Sequence, residues 1–104
     1  MKSVLITGAS SGIGEAFALK LASMGIEQLF ICGTNLERLK QVQEKCLSAG
    51  AKAVSIKQLD VVDRSAVAEW VFACNAEFPL DLVCANAGVA TGTEYVNSNV
   101  FRTF

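Results

Sequence analysis

Apolar positions follow two alternating rhythms along the chain. The run Ser3-Val4-Leu5-Ile6-Thr7 is continuous, too short for a helix and closed by Gly8, as expected of a strand buried on both faces. From Gly12 the rhythm changes. Ile13, Phe17 and Leu21 recur every four residues with Ala18 and Ala22 beside them, which is the stripe of one helical face, and Gly25 ends it. Residues 28–32 predict a second strand. Leu36, Leu39, Val42 and Cys46 then predict a second helix, capped by Asn35 and closed at Gly50. Residues 53–56 read as a third strand, and Asp63 as the cap of a third helix with the stripe Val67, Trp70, Val71 and Cys74. The only proline, Pro79, stands just before a fourth strand at 80–84. Beyond Gly88 the pattern breaks up through Val89-Ala90-Thr91-Gly92-Thr93, and residues 94–104, weakly amphipathic, predict the beginning of a helix.

Strand and helix alternate three times with short connections. Right-handed crossovers solve such an alternation by building a parallel sheet covered by helices. The expected architecture is α/β: part of a doubly wound sheet with strand order 3-2-1-4, forming one domain over residues 1–104 without repeat or linker.

Composition narrows the partners. Apolar residues make up 52% and charged residues 18% of the 104, which excludes a disordered tail. Nine basic against ten acidic side chains, unclustered, leave no footprint for nucleic acid or anionic lipid. No apolar stretch approaches the ~20 residues of a membrane span, and Met1-Lys2 runs into the first strand without a signal-type region. A soluble, cytoplasmic protein is expected. The absence of His removes triad and imidazole acid–base mechanisms. Cys32, Cys46, Cys74 and Cys84 contain no C-x-x-C pair, which with the lack of His removes the common zinc arrangements, and three of them sit in apolar or helical runs and read as small buried hydrophobes rather than as bridges.

The first strand leads into Thr7-Gly8-Ala9-Ser10-Ser11-Gly12-Ile13-Gly14, three glycines joining a strand to a helix. In that context Gly8 allows a tight turn, Gly12 lets backbone approach a pyrophosphate, and Gly14 permits close packing of the helix on the sheet. Free N–H groups at the helix start face the anion, with the hydroxyls of Ser10 and Ser11 and the backbone of Ile13 alongside.

The spacing Gly8, Gly12, Gly14 differs from G-x-G-x-x-G. TGASSGIG resembles the cofactor loop of the short-chain dehydrogenase/reductase family, and two further segments match that family in order. Asp60-Val61, after the third strand, looks like its adenine-contacting Asp. Asn86-Ala87-Gly88, after the fourth, looks like its Asn-Ala-Gly motif. Ala85 stands where the family usually has a second Asn, a site the resemblance links to stabilising the central sheet. Singly, Asp60 is also an ordinary turn former and Asn86-Ala87-Gly88 an ordinary strand end. Together, at the carboxyl ends of successive strands, they favour a Rossmann-type dinucleotide site.

The resemblance implies NAD or NADP as the cofactor. NAD-selective sites of this type place an acid about twenty residues past the glycine loop. Counting from Gly14 reaches Gly33 and Thr34, with no acid there and with Arg38 one helical turn further on. A 2'-phosphate is tolerated by this arrangement, and the reading leans to NADP. Against it, Ser11 occupies a position where NADP-preferring relatives often carry a basic residue, and Thr34 is equally a helix-start residue beside Asn35.

The resemblance implies hydride transfer to or from nicotinamide, with proton transfer by a Tyr whose pKa a Lys four positions later lowers. The single tyrosine, Tyr95, is followed four residues later by Asn99, so no Y-x-x-x-K occurs, and the family's catalytic Ser is missing. Asn99-Val100 resembles the family's catalytic Asn-Leu, but it lies 11 positions after Gly88, about half the family's separation, and reads as a surface or helix-start residue. No catalytic residue and no metal ligand is therefore assigned. The expectation is the truncated amino-terminal, cofactor-binding part of an NAD(P)-dependent oxidoreductase, inactive alone. The alternative is a non-catalytic nucleotide-binding or interaction module. The strand at 80–84, central in the family's full sheet, is expected to be an exposed edge that drives self-association there or through residues 89–104.

Overall fold

The computed structural model describes residues 2–9, 12–85 and 100–102. Its elements are β1 (Ser3–Thr7), α1 (Gly12–Ser23), β2 (Gln28–Gly33), α2 (Leu36–Ala49), β3 (Val54–Gln58), α3 (Arg64–Glu77), β4 (Leu82–Ala85) and β5 (Val100–Arg102). The sheet order is β3-β2-β1-β4-β5. The first four strands are parallel, β1 running from Ser3↔Gln28 to Thr7↔Cys32 against β2 and from Val4↔Leu82 to Thr7↔Ala85 against β4.

The alternation of side chains along the strands builds two cores. Val4 and Ile6, with Leu29, Ile31, Val54, Leu82 and Cys84, face α1 and α2, which bury Ala18, Leu21, Ala22, Leu39, Val42 and Cys46 against them. Leu5, Phe30 and Val83 point the other way, to Cys74 of α3 and to Leu80, with Trp70, Val71 and Phe78 half-buried around them. The expected α3 stripe is thus present but shallow: only Cys74 is fully enclosed.

Helix ends follow the local chemistry. Asn35 Oδ1 accepts from Arg38 N–H at 3.1 Å and Asp63 Oδ1 from Ala66 N–H at 3.1 Å, each satisfying an orphan donor of a first turn. Gly50, with φ +133°, closes α2 by donating to Cys46 O.

At the amino-terminal edge of the sheet, Asp81 Oδ2 accepts from the N–H groups of Lys2 (2.6 Å) and Ser3 (3.1 Å), and Asp81 N–H returns a bond to Ser3 O (2.9 Å). Ser3 Oγ donates to Pro79 O, and Leu80 N–H donates to Asn75 Oδ1. Residues 80 and 81 are thereby held by side chains and by the start of β1, which is why β4 begins at Leu82 rather than at 80.

The strand at 80–84 is not an exposed edge. Beyond it β5 pairs antiparallel with β4, Cys84↔Val100 and Val83↔Arg102, with a register shift between the two pairs. Residues 100–102 are therefore a strand and not part of a helix over 94–104. Val100 and Phe101 favour extended backbone, and β4 offers unpaired N–H and C=O groups that a strand can satisfy and a helix cannot. The other residues of that stretch, Asn99 among them, lie outside the described residues.

Candidate functional site

Because β1 to β4 are parallel, their carboxyl ends lie at one edge of the sheet. After Thr7 the chain turns at Gly8, with φ +71°, and Ala9 N–H donates to Cys32 O at 3.0 Å, drawing the loop back over the end of β2. Gly12 opens α1 with φ +52°, a left-handed conformation that disfavours any side chain, and among the described residues outside its own turn no atom lies within 4 Å of where its Cβ would stand. Ile13 is 70% exposed, whereas Gly14 is buried, as close packing of helix on sheet requires. Ser10 and Ser11 lie outside the described residues.

Beyond β2, Thr34 is exposed, and its carbonyl accepts from Gln58 Nε2 at 3.1 Å. Leu59 N–H donates to Gly33 O at 2.8 Å, prolonging the pairing of β2 with β3 to the site's margin. Asp60 follows in a turn: its Oδ1 accepts from Val62 N–H at 3.0 Å and its carbonyl from Asp63 N–H at 2.9 Å. Val61 is half-buried beside it. The turn-forming reading of Asp60 holds at one carboxylate oxygen. Asn86, Ala87 and Gly88 lie outside the described residues, but they follow directly on Ala85, which pairs with Thr7.

Glu15 was not among the residues singled out in the sequence. It stands in the first turn of α1, its side chain 13% exposed, and takes Arg38 Nη2 at 2.6 Å and Lys45 Nζ at 3.1 Å, both from α2. Its signal was an acid one residue past the glycine loop and two bases seven residues apart on the next helix, but only the packing of α1 on α2 brings them together.

All four cysteines are buried and free. Burial pushes the thiols of Cys32, Cys46 and Cys74 up to about 11, and that of Cys84 up as well. At Cys32 the Gly8 N–H opposes this without cancelling it; at Cys46 the charge of Glu15 adds to it. These are packing groups and not thiolate nucleophiles at neutral pH. Among the described residues no three His, Cys, Asp or Glu side chains gather as metal ligands, and no helix is long and apolar enough to cross a membrane.

The family model for short chain dehydrogenase matches residues 2–103. The chain belongs to the short chain dehydrogenase family. An uncharacterized oxidoreductase of Myxococcus xanthus (strain DK1622) is 40% identical over 93 residues, 88% of this chain and 36% of that protein. Among solved structures, a metagenomic short-chain oxidoreductase in complex with NADP superposes with a TM-score of 0.75 at 31% identity, covering 85% of this chain and 39% of that one. NAD+-bound xylitol dehydrogenase superposes with a TM-score of 0.65 at 31% identity, covering 74% and 29%. The chain thus spans about a third of the length of these short chain dehydrogenase relatives, and it shares with them the 3-2-1-4 parallel sheet of the dinucleotide-binding fold.

Proposed function

We propose that residues 1–104 form the adenosine- and pyrophosphate-binding domain at the amino-terminal side of an NAD(P)-dependent oxidoreductase. The observation that carries this is Gly12: a left-handed glycine at the mouth of a central parallel strand, with no atom of the described residues outside its own turn where a side chain would project. The residues that hold the dinucleotide are Gly8, Ser10, Ser11, Gly12, Ile13 and Gly14 at the pyrophosphate, and Thr34 at the adenosine ribose. Asp60 and Val61 serve the adenine, and Asn86, Ala87 and Gly88 the far side of the cleft. When bound, the nicotinamide cofactor supplies or accepts the hydride. The chain's own work is to bind the adenosine half and orient the rest. With no acid at Gly33 or Thr34 and with Arg38 one turn on, NADP is the preferred form. Lacking a Tyr-x-x-x-Lys pair, these residues alone bind without turnover. The partner is the dinucleotide, in the cytoplasm.

Isothermal titration of the protein with NADP+ tests this. The expected affinity is on the order of millimolar, and Gly12→Val abolishes it by blocking backbone approach and straining the turn. Equal binding by wild type and a folded Gly12→Val variant removes the loop from the account. The pairing of β4 by β5 within the chain favours, as a second reading, a nucleotide-binding module without catalysis. Binding without hydride transfer in a preparation containing the full-length gene product would select it.

A further inference from the structure

The charge cluster between α1 and α2 stands next to the proposed site, and of its members only Arg38 enters the reading above. A carboxylate largely withdrawn from water needs a cation beside it. Glu15 has two, Arg38 Nη2 at 2.6 Å and Lys45 Nζ at 3.1 Å. Arg38 and Lys45 are seven residues apart, two turns of α2, so both rise on one helix face with Glu15 reaching both. Either cation can therefore give up some of its hold without stranding the carboxylate. The two are not equivalent. Arg38, at the amino-terminal turn of α2, is one turn beyond Thr34, whereas Lys45 is two turns further along, away from the carboxyl edge of the sheet. Arg38 is also the one with a planar fork suited to phosphate.

We propose that Glu15 is a specificity-determining residue for the cofactor, acting by exchange of partners on Arg38. This rests on the nucleotide site proposed above. With a ribose carrying a free 2'-hydroxyl, Arg38 stays paired with Glu15. With a 2'-phosphate, the Arg38 guanidinium turns to the phosphate and Lys45 keeps Glu15 neutralised. Glu15 thus competes with the 2'-phosphate for Arg38, and Lys45 lowers the cost of losing that competition. Cofactor preference is set by this balance, with no acid at the end of β2 to set it.

Calorimetric titration of NADP+ and NAD+ into wild type, Glu15→Gln, Lys45→Met and the double variant tests the exchange. Glu15→Gln, which keeps shape and an acceptor, is expected to raise NADP+ affinity about tenfold and to leave NAD+ affinity within about twofold. Lys45→Met, at an exposed position that threatens no packing, is expected to weaken NADP+ only. In the Glu15→Gln background Lys45→Met is expected to be silent, because Lys45 then has no carboxylate to hold. If both cofactors shift together, or neither shifts, or Lys45→Met weakens NADP+ equally in both backgrounds, the exchange is overturned while the nucleotide site stands. Binding of neither dinucleotide by wild type overturns the site and the exchange with it.

Discussion

At the scale of single residues, the two ends of the sheet are fastened by different chemistry. At the carboxyl edge glycines with positive φ turn the chain from β1 into α1, whereas at the amino edge one carboxylate ties β1 to the entry of β4. The N–H groups of Lys2 and Ser3 hold the Asp81 carboxyl below the usual carboxylate range. A carboxylate whose folded pKa is depressed contributes stability above its unfolded pKa and loses it as the pH falls through the folded value. Asp81→Asn is therefore expected to be less stable than wild type at neutral pH, with the gap closing on acidification below the usual carboxylate range. Denaturant midpoints of both proteins at the two pH values check this; a gap independent of pH would mean that Asp81 acts through shape alone. The residue scale is also where sequence reading fell short. The turns at Gly8 and Gly12 and the burial of Gly14 were legible because the strand before and the helix after give their spacing a meaning. Glu15 was not, since its partners lie 23 and 30 positions away and nothing local marks the carboxylate as largely withdrawn from water.

At the scale of elements, the chain announces where its helices start and stop, because caps are local. Asn35 and Asp63 sit at the amino ends of α2 and α3 as expected, and Gly50 closes α2. Gly50 does more than end a helix. A Cβ there would lie 2.8 Å from the carbonyl oxygen of Ala22, and its φ of +133° is strained for any other residue. The end of α2 therefore approaches the backbone of α1 as closely as a glycine allows. Gly50→Ala is expected to destabilise the protein by on the order of 2 kcal/mol, from strain and from displacement of the two helices. Urea unfolding measures it, and a loss below about 0.5 kcal/mol, the size of an ordinary surface change, would show that the helices part freely. What the sequence did not disclose at this scale is β5. Residues 94–104 carry a weak helical periodicity of their own. The strand at Val100–Arg102 exists through hydrogen bonds to β4, a partner that no pattern within the segment can reveal.

At the scale of the whole molecule, the consequence of β5 is that β4 is hydrogen-bonded on both sides, to β1 and to β5. Among the described residues the outermost strands of the sheet are β3, whose Ser55, Lys57 and Gln58 are exposed and polar or charged, and the short β5. A short edge and a charged one are the two devices by which sheets avoid pairing with copies of themselves. Within the chain β5 takes hydrogen bonds that an open strand at 80–84 would offer a second copy, and a monomer is expected in sedimentation at high micromolar concentration. The prediction can be inverted. Proline at both Val100 and Arg102, the two residues registered against β4, removes two N–H groups and disfavours the pairing. That variant is expected to uncover β4 and to self-associate, with a concentration-dependent sedimentation coefficient, while wild type stays constant over the same range. A double-proline variant that remains monomeric would mean that the groups of β4 beyond Leu82 are protected by something other than β5. A wild type that associates would locate the sticky surface elsewhere, with the half-buried α3 face around Trp70 and the exposed Phe72 as the next region to probe.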